Sequence, residues 1–149
     1  MNSGEQPALI IFIKNPEKGK VKTRLASTVG DDKALEIYNA LLAHTRNISC
    51  KVEAKRYLFY SQFVDQQDDW TSEYFIKALQ ANGDLGYKIA EAFQLVLAQH
   101  QKAIIIGSDC ASLSKEIIQD AIIALDQNDF VLGPALDGGY YLLGMRRFE

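Results

Sequence analysis

Ala8-Leu9-Ile10-Ile11-Phe12-Ile13 is six apolar residues in a row, and Lys14, Lys18, Lys20, Lys22 and Arg24 follow it within eleven positions. A short run with no polar alternation reads as a buried strand of the kind found in parallel sheets. Only Glu17 opposes the cations, so residues 14–24 carry +4 in a chain of net charge −3, and the remainder carries −7. A positive loop that contains a glycine and leaves a buried strand suits phosphate, because open α/β sheets bind ligands outside the carboxyl ends of their strands. The same residues also read as a solvated lysine-rich turn, and composition does not separate the two. An anion, and within that class a nucleotide, is the first functional expectation.

The 149 residues suit a single domain, residues 1–149, large enough to bury about two-thirds of its unfolded surface. With 48% apolar residues and no segment of low complexity, the chain should fold. Its acidic balance argues against general nucleic-acid binding, which needs a basic face. Cys50 and Cys110 are too few and too far apart for a disulfide framework or a zinc site. The first seven residues offer no basic n-region, and no apolar run approaches the roughly 20 residues that span a bilayer. The expectation is a cytoplasmic protein without a membrane span.

Beyond the basic loop, short apolar runs alternate with amphipathic segments. Asp31 and Asp32 offer a helix start, and Leu35, Tyr38, Leu42 and Thr45 recur at helical spacing, widened by Ile37, Leu41 and Ile48. Residues 56–60 and 74–79 read as strands, separated by a polar loop over 62–72. Asp84 caps a helix whose inward stripe is Leu85, Ile89, Phe93, Val96 and Leu97. Ala103-Ile104-Ile105-Ile106 is the clearest strand, ended by Gly107. Ser114 caps a helix carrying Ile117, Ile118, Ala121, Ile122 and Leu125, and residues 130–132 and 140–143 close the chain as two strands. Strands alternating with helices predict an α/β fold, a mainly parallel sheet with helices on both faces.

Three further stretches could carry chemistry. In Gly107-Ser108-Asp109-Cys110, an acid just past a buried strand faces the ligand crevice, where its carboxylate suits Mg²⁺ or Mn²⁺. Ser-Asp there also favours an ordinary Asx-turn. Asp137-Gly138-Gly139-Tyr140 reads as a hairpin turn, and equally as an opening where a substrate meets the backbone beside a carboxylate. Gly83-Asp84-Leu85-Gly86 reads as a helix cap or as a loop touching a base or sugar. His44 and His100 lie on helical segments without a paired ligand and read as surface or boundary residues. Ser108 lacks the Gly-x-Ser-x-Gly setting of a hydrolase nucleophile, and the basic loop lacks a Walker A ending.

Taken in order, four motifs resemble one family. They are Lys14-x-Pro16-x-x-Gly19-x-Val21-Lys22-Thr23-Arg24-Leu25, Gly83-Asp84-Leu85-Gly86, Gly107-Ser108-Asp109-Cys110, and Gly133-Pro134-Ala135-x-Asp137-Gly138-Gly139-Tyr140-Tyr141-Leu142-x-Gly144. Together they resemble a bacterial group of glycosyltransferase-A-like proteins among the nucleotide-diphospho-sugar transferases. Some members of that group are described as arsenosugar-biosynthesis-type glycosyltransferases. More distantly the chain is similar to phospholactate and molybdenum-cofactor guanylyltransferases. The resemblance runs from Leu9 to Arg146 and implies a Rossmann-like three-layer α/β/α sandwich.

The same resemblance implies that Lys14, Gly19, Lys22 and Arg24 grip phosphates, with Asp84, Gly86 and Ser108 framing the nucleotide. Asp109 matches the metal-binding carboxylate, for Mg²⁺ or Mn²⁺. Gly138, Gly139 and Tyr140 fall on the acceptor or sugar side, and Lys22, Arg24 and Asp137 take the catalytic roles. The implied partner is a nucleotide-activated small molecule, either a nucleotide-sugar or a nucleoside triphosphate donor.

The chain departs from the family pattern at three places. Ala111 stands where the family has proline, and Leu136 where it has an acid before Asp-Gly-Gly. Members also continue beyond Glu149 with a segment that finishes the sheet, so a homodimer through the edge left there is expected. The functional expectation is a metal-dependent transferase moving a sugar from a nucleotide. The alternatives are a nucleotidyltransferase of the guanylyltransferase type and a truncated, non-catalytic nucleotide-binding protein.

Overall fold

Along the chain run β1 (Ala8–Ile13), α1 (Thr23–Val29), α2 (Asp31–Ser49), β2 (Lys55–Tyr60), β3 (Ile76–Leu79), α3 (Leu85–Leu97), β4 (Lys102–Ile106), α4 (Lys115–Ala124), β5 (Phe130–Pro134) and β6 (Tyr140–Arg146). This computed structural model describes residues 6–134 and 140–147. The strands form one sheet in the order β3-β2-β1-β4-β6-β5. β1 pairs in parallel with β2 and with β4, and β3 pairs in parallel with β2. β6 is antiparallel to both β4 and β5, so the sheet is mainly parallel.

From β1 the chain builds outward through β2 and β3, then returns to set β4 on the other side of β1. Strand order therefore reverses between β1 and β4, and the crevice outside their carboxyl ends is the place where such sheets bind ligands.

Alternate residues of a strand face opposite sides, so β1 feeds two cores. Leu9 and Ile11 share one face with Leu58, Ile104 and Ile106, packed with Tyr38 and Leu42 of α2 and Ile118 and Ala121 of α4. Ala8 and Ile10 share the other with Phe59, Ala103 and Ile105, packed with Ala92, Phe93 and Val96 of α3. Helices on both faces make the three-layer α/β/α sandwich and explain why β1 needs no polar alternation. The two expected caps form. Asp84 accepts from the Tyr87 N–H at 2.8 Å and Ser114 from the Ile117 N–H at 3.2 Å, which satisfies one otherwise orphaned donor at each helix start.

Four expectations shift. The end of the basic loop is not loop but α1, a seven-residue helix with no buried side chain, too short to leave a periodic signal. The third strand starts at Ile76 rather than Tyr74, because Tyr74 and Phe75 donate their N–H groups to the Thr71 carbonyl in a turn. Leu85 does not join the inward stripe of α3. As the first helical residue it is 64% exposed, and Ala92 is buried farther along. His100, expected near the surface, is buried, with Nδ1 donating to the Gln6 carbonyl and Nε2 2.7 Å from the Tyr57 hydroxyl. Among the described residues no helix is long and apolar enough to cross a membrane.

Candidate functional site

An open cleft of about 920 Å³ lies at the carboxyl ends of the parallel strands, within the size range of small-molecule sites. Lys14 enters it just after β1, and Lys22, Thr23, Arg24 and Leu25 enter it from the start of α1. Gly107, Ser108 and Asp109 follow β4 into it, Ser61 and Gln80 follow β2 and β3, and α3 adds Leu85 and Lys88.

The five cations of the basic loop divide into two groups. Lys18 pairs with Asp32 at 3.0 Å and Lys20 with Glu17 at 3.6 Å, and neither lines the cleft. Lys14, Lys22 and Arg24 do line it. The loop is therefore part solvated turn and part cleft wall.

Two features fold it this way. Gly19 takes φ +83°, the left-handed region that glycine enters without a Cβ penalty. Val21 is buried in the core facing α2, pinning the loop to the sheet. Between that anchor and α1, Lys22 is itself left-handed, at φ 49° and ψ 45°. For a residue with a side chain this costs about 1 kcal/mol or more, and such conformations gather at functional sites.

Lys22 Nζ lies 3.7 Å from Asp109 Oδ1, with the two side chains 29% and 71% exposed. A pair this open to water contributes only about 0–1 kcal/mol, so both charges stay available to a ligand. Among the described residues no carboxylate pairs with Lys14, Arg24 or Lys88. The described wall thus sets four cations against one carboxylate.

Two polar residues hold the walls in place. The Tyr38 hydroxyl, on α2, accepts from the Lys14 N–H at 2.8 Å, donates to the Lys14 carbonyl at 3.0 Å and lies 3.2 Å from Ser108 Oγ. With its single hydrogen given to Lys14, it accepts from Ser108, and all its capacity is used. Burial pushes the Tyr38 phenol above its ordinary value and the Asp109 charge adds to this, while the hydrogen bonds to Ser108 and Lys14 act in the opposite sense. The phenol stays neutral and ties the loop after β1 to the turn after β4.

Asn15 does the same between β1 and β2. It is buried, its Nδ2 donates to the Phe63 carbonyl, and its Oδ1 accepts from the Gln62 and Phe63 N–H groups.

Of the residues singled out by sequence, the structure brings Lys14, Lys22, Arg24, Ser108 and Asp109 together at the cleft. Ser108 is buried and bonded to Tyr38, which sets the turn that carries Asp109. Gly19, Asp84, Gly86 and Tyr140 do not line the cleft. Gly19 serves the turn, Asp84 caps α3 with Gly86 beside it, and Tyr140 opens β6 opposite Pro134. Asp137, Gly138 and Gly139 lie outside the described residues. Sequence reading missed Asn15, Ser61, Gln80 and Lys88, and took Tyr38 only as core. For Asn15, Ser61 and Gln80 the one available signal was a polar residue just past a strand end, and Lys88, within α3, left none.

For a divalent cation the fit is partial. The described residues contain no group of three His, Cys, Asp or Glu side chains able to hold a metal. Asp109 alone suits a Mg²⁺ or Mn²⁺ ion that shares its shell with phosphate oxygens and water, a usual arrangement for magnesium.

Comparison with known proteins places the chain. Residues 44–149 match the family described as "uncharacterized protein conserved in bacteria (DUF2064)". The chain belongs to that family. Among solved structures, a Desulfovibrio desulfuricans protein provisionally described as a nucleotide-diphospho-sugar transferase matches this DUF2064 chain at a TM-score of 0.87 and 31% identity. The match covers 95% of this chain and 64% of that one, so the chain spans less than two-thirds of that relative's length.

Two others share the fold at low identity. They are 4-diphosphocytidyl-2C-methyl-D-erythritol synthase from Anaerococcus prevotii (TM-score 0.58, 12% identity, 96% of this chain and 72% of that one) and a Mycobacterium tuberculosis protein (TM-score 0.56, 10% identity, 99% and 74%). No curated protein matches the chain. The fold of this DUF2064 member is that of the nucleotide-diphospho-sugar transferases.

Proposed function

We propose that this chain is a transferase using a nucleotide-activated donor, and that the group it moves is a sugar carried on a nucleoside diphosphate. The convergence of Lys14, Lys22 and Arg24 on the cleft at the β1–β4 switch point carries this reading. Its likeness at 31% identity to the Desulfovibrio protein supports the sugar-nucleotide donor.

The donor's phosphates lie against the three cations. As the bond from the anomeric carbon to the distal phosphate oxygen breaks, charge builds on the leaving diphosphate, and Lys22 and Arg24 stabilise it. The acceptor's nucleophile forms the new bond to that carbon and its proton passes to solvent water. Asp109 would hold a Mg²⁺ or Mn²⁺ ion, which would supply further neutralising charge. Asp137, Gly138, Gly139 and Tyr140 are assigned to the acceptor side, with Asp137 as a catalytic carboxylate, and Asp84 and Gly86 to framing the nucleoside.

One observation favours a second reading. Among the described residues, Lys14, Lys22, Arg24 and Lys88 stand against a single carboxylate, which suits a triphosphate. In that case a phosphate oxygen of the acceptor attacks the α-phosphorus and pyrophosphate leaves.

Product analysis separates the two readings. Incubation with UDP-, GDP-, ADP- and CDP-sugars and with the four triphosphates, each with Mg²⁺ or Mn²⁺, should release nucleoside diphosphate and not pyrophosphate. Replacing Lys22 and Arg24 together by Ala should lower kcat/KM by about 100-fold or more. Pyrophosphate release from one triphosphate would establish the second reading. Undiminished turnover in the double variant would refute the role of the loop.

A further inference from the structure

Gln80 is the first residue past β3, and its side chain reaches over the ends of two neighbouring strands. Its backbone N–H donates to the Tyr60 carbonyl at 2.9 Å. Its Nε2 donates to the carbonyls of Ile13, at the end of β1, and Phe59, near the end of β2, both at 3.0 Å. Those two bonds use both amide hydrogens and fix which way the amide faces. Turned over, Oε1 would confront two carbonyl oxygens with no hydrogen between them.

What the side chain has left is therefore an acceptor. No group among the described residues donates to Oε1. No side-chain oxygen or nitrogen among them is both sealed from water and unpartnered, so Oε1 keeps contact with solvent, and Gln80 is part of the cleft wall.

Nearby side chains on the wall do not compete for that role. The Ser61 hydroxyl accepts from the Asn15 N–H at 3.1 Å and donates to Asn15 Oδ1 at 3.4 Å. Phe12 and Leu85, which also line the cleft, are apolar. A lone acceptor oxygen repels phosphate but suits a flat, neutral group with an N–H on its edge.

We propose that Gln80 is a specificity-determining residue that selects the nucleobase of the bound nucleotide by accepting a hydrogen bond from an N–H donor, imide or exocyclic amine, on the base edge. This rests on the nucleotide reading of the cleft and adds the means by which one base is preferred. A site built to meet a donor rejects an analogue that lacks it, because the acceptor is then desolvated without return.

The test is isothermal titration of the full chain with inorganic pyrophosphate, the four nucleoside diphosphates, and a partner for each that lacks the edge N–H. The partners are 3-methyl-UDP, the 4-deamino analogue of CDP, the 6-deamino analogue of ADP, and 1-methyl-GDP with its 2-deamino counterpart. The best-bound diphosphate should lose about tenfold or more in affinity on passing to its partner. Gln80→Met should bring the parent down to the partner's level while leaving pyrophosphate affinity within about twofold. If that variant does not fold, the wild-type series decides alone. Parent and partner bound equally would overturn the role of Gln80 and leave the nucleotide site standing. Failure of pyrophosphate and every diphosphate to bind would remove the nucleotide reading itself, and this inference with it.

Discussion

Tyr38 and Asn15 carry more of the site's geometry than the residues that would touch a ligand. Tyr38 spends its full hydrogen-bonding capacity, and Asn15 both its amide oxygen and one amide hydrogen, on tying together loops that leave different strands, and a satisfied buried polar group fixes a loop more firmly than an apolar one. Tyr38→Phe should cost about 1–3 kcal/mol, because it strands the Lys14 N–H and carbonyl. It should also weaken pyrophosphate binding severalfold without removing a charge. Chemical denaturation paired with a binding titration checks both, and unchanged affinity in a destabilised variant would confine Tyr38 to structure. These roles were not legible in the sequence, since Tyr38 sits at a regular position in an apolar stripe and its hydroxyl partners lie 24 and 70 residues away. The placement of Lys22 and Asp109 at the cleft was legible, because charge density and position after a strand are local properties.

Elements show the same division between local and tertiary causes. The starts of α3 and α4 were readable because a cap is a bond between residues three apart. The helix α1 was not, since it buries nothing and is held by the turn of Lys22 before it. Asp84 tests whether a cap is also a ligand group. Asp84→Ala should lower stability by about 1 kcal/mol, and Asp84→Ser should restore most of it, because serine caps equally well. If Asp84 also frames the nucleoside, nucleotide affinity will fall in both variants. If only the alanine form binds less tightly, its part is confined to the cap. Thermal melts and titrations of the two variants separate these outcomes.

At the scale of the whole molecule, the alternation of apolar runs with amphipathic segments was enough to give the layers. The run at residues 8–13 became the central strand because it is flanked by strands and covered by helices on both faces. The antiparallel turn of β6 and the convergence of four strand ends on one cleft are long-range facts, and no local pattern carries them.

Alkaline stability is a further whole-molecule consequence. The Tyr60 phenol is pushed well above its ordinary value of 10.0, first by burial, then by its hydrogen bond to Asp68 and the charges of Asp68 and Asp65. Tyr57 and Tyr38 are also raised, chiefly by burial. A group whose folded-state value is raised lends stability that is whole below the unfolded value and is lost as pH rises towards the folded one. Melting temperature should therefore hold up to about pH 10 and fall above it. Tyr60→Phe should be less stable at neutral pH, by about 1–2 kcal/mol for the lost bond to Asp68, yet show a shallower alkaline decline. An equally steep decline would assign the titration elsewhere.

The central claim is that the cleft at the β1–β4 switch point binds nucleotide phosphates. The direct measurement is a calorimetric titration of the chain with UDP, GDP, ADP and CDP at about 0.15 M salt, with and without Mg²⁺. It is repeated on a Lys22→Ala, Arg24→Ala double variant shown by circular dichroism to be folded. The account predicts saturable binding of at least one diphosphate by the wild type and loss of that binding in the variant. A folded wild type that takes up none of them, or a double variant that binds as tightly as the wild type, would contradict it.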